Sequence, residues 1–321
     1  MSSYYDEEFK PWETVDGRCV VADEAEWGKL VEWNRKASED QHVADQVMGT
    51  FTRPIVKVPT DIFYGDLHDV ENGHGGLISW CDNECPTGEW NDCFCPECGA
   101  EGLILTTDDL LNRFFQTIDS TQHVDYLLMT QRPELVREKW PTRWVRSEHE
   151  YQDDPLDNII LATYVETQAD IERLVPELIK CHDLCKGLAV VCNPKEELDF
   201  NFKPLLGKPE GYTNFAIEYL NLIIAEGNEH PIHPDHVRSL RDQCLDAGVP
   251  FGFASWGQWI PSDAPRQNGF QVILRPDGGV VDRPSWNQML NTTGDDWIMS
   301  RIGKESDGCL LDGQEHNGRI A

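Results

Sequence analysis

Five cysteines, Cys81, Cys85, Cys93, Cys95 and Cys98, fall within eighteen residues. The run Cys95-Pro-Glu-Cys98-Gly forms a tight turn that brings two thiolates to one ion, and its glycine lets backbone N–H groups face the sulfurs. Cys81 and Cys85 supply the second pair of a tetrahedral four-thiolate site, with Cys93 as an alternative ligand. Such a turn favours zinc over an iron–sulfur cluster. With every position taken by sulfur the zinc is structural, holding together a loop too small to have its own core. Cys181 and Cys185 flank His182 and lie four apart at the end of a helical pattern. They read as small apolar side chains in a core rather than as ligands.

A second set of polar residues follows a series of apolar runs. Asp61 follows the first run, and Thr130, Gln131 and Arg132 follow the second. Thr163, Tyr164 and Glu166 come after the third, and Asn193 and Lys195 after the fourth. Glu226, Asn228, Glu229 and His230 come after the fifth, and Ser255, Trp256 and Gln258 after the last. Acids, a guanidinium, amides and an indole converging on one mouth suit a small-molecule or nucleotide pocket. Within the set, Asp61, Glu166 and Glu226 are candidate acids or bases and Arg132 a candidate anion holder. The candidate ligand-binding residues are Thr130, Arg132, Tyr164, Glu166, Asn193, Glu226, Trp256 and Gln258. They do not by themselves name a reaction.

The apolar runs read as strands at Pro54–Val58, Val124–Met129, Asn158–Ala162, Leu188–Cys192, Leu220–Ala225 and Val249–Ala254. Helical spacing stands between most of them. Leu110, Leu111, Phe114, Phe115 and Ile118 give one stripe, and Ile171, Leu174, Val175, Leu178 and Ile179 another. A helix is predicted over Glu24–Lys36, and another over Pro234–Ala247 with Gly248 as its stop. About six apolar strands alternating with helices predict parallel βαβ units, an α/β chain folded as a partial, open β/α barrel. The expected divisions are 1–76 for the first part of the barrel, 77–103 for the inserted cysteine-rich, zinc-knuckle-like loop, 104–262 for the rest of the barrel and 263–321 for a C-terminal extension. That extension is expected to hold one strand at Phe270–Leu274, a turn at Pro276–Gly279 and a polar end.

Composition narrows the function. With 27 Lys and Arg against 57 Asp and Glu, the net charge is -30, which argues against non-specific binding to duplex DNA. The acids are spread along the chain, as a solubilising surface would be; a decoy of DNA is the sharper and weaker alternative. Hydrophobic residues make up 40% of the chain, enough for a sizeable core, and no stretch approaches the roughly 20 apolar residues of a membrane span. The amino terminus, MSSYYDEEFK, lacks the basic and apolar regions of a secretion signal. A cytoplasmic protein with reduced thiols is expected.

The segment HPDHVRSLRDQCLDAGVPFGFASWGQW, His233 to Trp259, resembles the phage gene-product thirty-seven/sixty-eight family. This is a domain of unknown function found in phages and prophages and also described by a three-cysteine motif. Shorter matches run in order along the chain at Pro59–Phe63, Leu127–Leu135, Ile159–Thr167, Val190–Pro194, Leu222–Pro234 and Ile302–Glu315. The resemblance implies a partial barrel akin to radical S-adenosylmethionine enzymes, residence in the host cytoplasm, and a GC…GCxxCYA segment whose three thiolates hold a four-iron cluster.

This sequence lacks that segment; Cys19 is the only cysteine ahead of the first predicted barrel strand. The family's GGESG is AEGNE here, its SCEP is VCNP, and the lysine of its FFKQWG gives way to Ala254-Ser255. Ala225 and Glu226 in place of glycines are expected to crowd any approach of backbone to cofactor. An iron–sulfur cluster and S-adenosylmethionine are therefore not expected. The expectation is a zinc-binding accessory protein of a phage or mobile element, holding a small molecule or protein partner at the barrel mouth. The alternative is an active radical-type enzyme, or one acting on a nucleotide or nucleic-acid precursor.

Overall fold

The computed structural model describes residues 5, 7–15, 18–47, 49, 51–63, 107–141, 157–203, 215–262, 270–292, 294–302 and 310–320. Cys81, Cys85, Cys93, Cys95 and Cys98 lie outside them. The described chain opens with β1 (Glu7–Glu8), a hairpin of β2 (Trp12–Val15) and β3 (Arg18–Val21), and the helix α1 (Glu24–Gln46). Strand β4 (Ile55–Val58) follows, then α2 (Thr107–Ser120), β5 (Asp125–Met129), α3 (Val136–Lys139), β6 (Ile159–Val165) and α4 (Gln168–Ile179). Next come β7 (Gly187–Cys192), β8 (Leu222–Glu226), α5 (Pro234–Ala247) and β9 (Phe251–Ser255).

Among the described residues, seven strands pair in the order β1-β4-β5-β6-β7-β8-β9, every pair parallel. They form the open half-barrel expected from the alternating pattern, with all six predicted strands in place. The short β1 adds a seventh strand at one edge, where two polar glutamates gave no apolar signal.

Alternation along each strand divides the side chains between two faces. Val56, Val58, Tyr126, Leu128, Leu161 and Val190 belong to the cluster that includes the helices. Ile55, Leu127, Ile160, Ala162, Val191 and Ile224 form a separate cluster on the concave face. Helix α4 contributes its whole predicted stripe to the first cluster, with Ile171, Leu174, Val175, Leu178 and Ile179 all buried. Burying such side chains is worth about 1.5–3 kcal/mol each before entropy is counted.

Cys181, Cys185, Cys192 and Cys244 are buried. Cys181 points its thiol at the Pro133 carbonyl and Cys185 at the Gly187 carbonyl, as packing residues do. Burial pushes the Cys181 thiol up to about 11 and the Cys244 thiol up to about 12.

Helix α1 continues to Gln46, well past Lys36. Its outer half buries only Ala37, and Arg35 pairs with Glu32 and Glu39, the spacing that supports a helix without an apolar face. Beyond the barrel the expected single strand and polar end give way to a sheet. Strands β10 (Trp259–Ser262), β11 (Gln271–Leu274), β12 (Val280–Asp282) and β13 (Trp297–Arg301) form it in the antiparallel order β10-β13-β11-β12, with α6 (Trp286–Leu290) joining β12 to β13 in the chain. The hairpin β14 (Leu310–Leu311) and β15 (Gln314–Glu315) leads into a tail. That tail covers the open edge of β9: Phe253 N–H donates to the His316 carbonyl at 2.8 Å and Gly318 N–H to the Phe251 carbonyl at 3.0 Å. Edges left bare are templates for aggregation. The tail then brings Ile320 against the concave cluster.

Two buried imidazoles tie α5 to the C-terminal sheet. His233 caps the helix by accepting from Asp235 N–H at Nδ1, and its Nε2 faces the Asp295 carbonyl at 3.0 Å. His236 Nε2 meets the Pro276 carbonyl at 2.8 Å, and the two rings stand 4.8 Å apart. Burial, opposed by the bond to Pro276 and by Glu197 and Asp235, holds His236 below the usual histidine range. A histidine whose folded pKa is depressed stabilises the fold above its unfolded value and loses that contribution as pH falls. We therefore expect the melting temperature to drop as pH is lowered through about 6.5 towards 5, and His236→Gln to flatten that dependence; a wild-type curve level over this range would contradict it.

Candidate functional site

Lys57 interrupts the apolar strand β4, and Glu226 ends β8. They meet across the concave face: Lys57 Nζ donates to Glu226 Oε1 at 2.6 Å and Oε2 at 2.7 Å. Four strand spacings separate β4 from β8 in the sheet order, about 19 Å if the sheet were flat. A lysine and a glutamate cannot span that, so the contact exists because the sheet curls. Tyr5 completes the group. Its hydroxyl donates to Glu226 Oε2 at 3.0 Å, and the Lys57 ammonium lies 4.5 Å from its ring centroid, within cation–π range.

The end of β6 builds a neighbouring polar group. The Thr167–Asp170 capping box starts α4, and Asp170 also accepts the Glu166 N–H at 3.2 Å, which fixes where Glu166 stands. Glu166 pairs with Lys195 and faces the Tyr164 hydroxyl at 3.4 Å. Asn228 donates to that hydroxyl at 3.0 Å. Burial, reinforced by the Glu166 charge, raises the Tyr164 phenol well above its usual value, so it stays protonated and available as a donor. Asn193, fully buried after β7, donates its Nδ2 to the Glu226 carbonyl at 3.1 Å, while its Oδ1 is buried and accepts no hydrogen bond among the described residues. A buried acceptor without a donor is costly, and a ligand or water offering N–H or O–H would satisfy it.

The remaining expected residues stand elsewhere. Asp61 braces loops: Oδ1 accepts from Phe63 N–H at 3.2 Å, and Oδ2 accepts from Thr130 Oγ1 at 3.1 Å and Gln131 N–H at 2.8 Å. Thr130 also accepts the Arg132 N–H, and the Arg132 guanidinium pairs with Glu134 at 2.6 Å. Trp256 packs in the helix-side cluster, edge-on to Phe253, with its indole N–H on the Leu310 carbonyl at 3.0 Å. Gln258 accepts from Arg301 at 2.7 Å, tying the loop after β9 to β13. Of the expected strand-end residues, Tyr164, Glu166, Asn193, Lys195, Glu226 and Asn228 contribute to these two groups. Lys57 and Tyr5 were not foreseen. A lone lysine inside an apolar strand was the available signal for Lys57; Tyr5 sits 221 residues from its partner, with no local pattern to mark it.

A family described as a protein of unknown function (DUF5131) matches residues 105–319. The chain belongs to this family. No curated protein matches the chain, and no solved structure does. The DUF5131 region takes in α2, strands β5 to β9 and most of the C-terminal module. Glu226, Tyr164, Glu166 and Asn193 are inside it, whereas Lys57 and Tyr5 come from the chain ahead of it. Among the described residues no group of three or more His, Cys, Asp or Glu side chains is placed to hold a metal, and no helix is long and apolar enough to cross a membrane. Cys19 stands on β3 opposite Thr14.

A close backbone approach sets the height of Glu226. The β8–β9 register shifts between Ala225 and Glu226, and Gly227 N–H then donates to the Ser255 carbonyl at 2.7 Å. A Cβ on Gly227 would lie 2.3 Å from the Trp256 carbonyl carbon. Ala225, by contrast, packs in the helix-side cluster, so its methyl does not face the concave side. We expect Gly227→Ala to destabilise the fold by about 3 kcal/mol through this overlap. Gly248→Ala, at φ 68° with nothing within 4 Å of the new Cβ, should cost only about 1–2 kcal/mol of backbone strain. Urea melts of the two variants check the order; equal losses would refute the steric account.

Proposed function

We propose that this chain is a ligand-holding accessory protein of a phage or mobile element, descended from radical-type barrel proteins and no longer running radical chemistry. The observation that carries the reading is the occupancy of the concave face. Where the resembled family has glycines, Glu226 stands with its carboxylate bound to Lys57 and Tyr5. Cys19, the one cysteine ahead of β4 in this sequence, supports it, since the resemblance implies three there. The site suits a small molecule or a partner segment that exchanges for part of this network and offers a donor to Asn193. The net charge of -30 disfavours duplex DNA as that partner.

The same reading assigns a structural zinc to Cys81, Cys85, Cys95 and Cys98, with Cys93 as the alternative ligand, on the strength of their spacing. A second reading, an enzyme acting on a nucleotide or nucleic-acid precursor, draws on the protonated Tyr164 beside Glu166 and Lys195 as an acid–base group.

Metal analysis of anaerobically purified protein tests the first reading. The expected result is about one zinc per chain, no iron, no brown colour and no cleavage of S-adenosylmethionine, with the zinc lost in the Cys95→Ser/Cys98→Ser variant. Four-iron absorption with cleavage of S-adenosylmethionine would overturn it.

A further inference from the structure

We infer that Tyr5 occupies the ligand position of the half-barrel, so that the natural ligand is a planar aromatic molecule with a hydrogen-bond donor on its rim, and that this ligand must displace Tyr5 to bind. The inference rests on the reading above and adds to it the class of ligand and the control of access.

The chain just after Tyr5 is firmly anchored. Glu7 and Glu8 pair with Val56 and Lys57 on β4, and Phe9 N–H donates to the Lys57 carbonyl at 2.9 Å. Phe9 itself is buried edge-on to Trp27, with ring centroids 5.0 Å apart. Tyr5 is different in kind from these anchors. It is a member of the concave cluster, on the opposite face of the sheet from Phe9. Its contacts are of the sort a bound ligand makes: a ring face on an ammonium and a donor on a carboxylate. Its ring engages Lys57 and its hydroxyl engages Glu226, so one side chain contacts both members of the pair.

A phenol and a nucleobase share the two features Tyr5 presents, a π face and a rim donor, and both fit this geometry. A nucleobase amine, with two N–H donors against the single O–H of a phenol, has one to spare for the Asn193 Oδ1 that the described residues leave without a hydrogen bond. A site filled by its own chain is open to ligand for only part of the time, and apparent affinity falls by that fraction.

The test uses the full chain with Tyr5→Ala and Tyr5→Phe, each checked for folding by circular dichroism. p-Cresol and adenosine serve as aromatic probes and cyclohexanol as a non-aromatic control. Lys57 reactivity is followed by reductive methylation and mass spectrometry. Removing the plug is expected to speed Lys57 methylation and to tighten binding of at least one aromatic probe by about tenfold or more, with the bound probe protecting Lys57 again. Tyr5→Phe, which keeps the ring but lacks the donor, should fall between wild type and Tyr5→Ala.

Unchanged Lys57 reactivity in both variants would overturn the plug. Faster methylation with no aromatic probe bound, or with cyclohexanol bound as tightly, would overturn the ligand class. The iron and zinc contents are read separately, so failure here and failure of the reading above give different results.

Discussion

A lysine from β4 and a glutamate from β8 meet across the hollow of a seven-stranded sheet, and the rest of the arrangement follows from that contact. It requires the sheet to curl, because a flat one would hold the two residues out of reach. It sets the character of the concave face, apolar in its lower layers and charged at the level where Glu226 ends its strand. It also recruits Tyr5, whose ring and hydroxyl engage both ends of the pair. The side chains of Lys57 and Glu226 remain 11% and 23% exposed, so water retains part of its hold on both charges.

Such a pair is a poor way to gain stability. Removing charges from water costs several kcal/mol per ion, and apolar side chains of similar volume often do as well or better. The surrounding concave residues, Ile55, Leu127, Ile160, Val191 and Ile224, show that this chain can fill the same face with hydrocarbon. On the proposed reading, charge at one level of an otherwise apolar interior serves recognition. The nearby Tyr164–Glu166–Lys195 group and the orphaned Asn193 acceptor extend it into a polar layer at the strand ends, where parallel β/α folds place their ligands.

The barrel was legible because its strands are buried on both faces. Runs such as Leu188–Cys192 are apolar throughout, and the amphipathic helices between them imposed a second period. The small antiparallel parts were harder to see. Asp16-Gly17 and Asp312-Gly313 are strong hairpin signals, yet the flanking strands are short and only partly apolar. Strands β10 and β13 define each other through pairing across nearly forty intervening positions, which no local window reports. At the site, Glu166 and Glu226 were readable from their place after apolar runs. Trp256 followed the same rule and is instead a buried strut, because position at a strand end says nothing about which way a side chain turns after a register shift. Lys57 and Tyr5 escaped because their role lies entirely in a contact between distant segments.

A double-mutant cycle on Lys57 and Glu226 tests the central claim most directly. Lys57→Met, Glu226→Gln and the double variant would be compared by denaturant unfolding. The account predicts that each single change is destabilising and that the two are coupled by about 0.5–3 kcal/mol, the range for groups in one network. Losses that add to within about 0.5 kcal/mol, the behaviour of independent sites, would mean that the two charges do not meet and that the concave face is not organised around them.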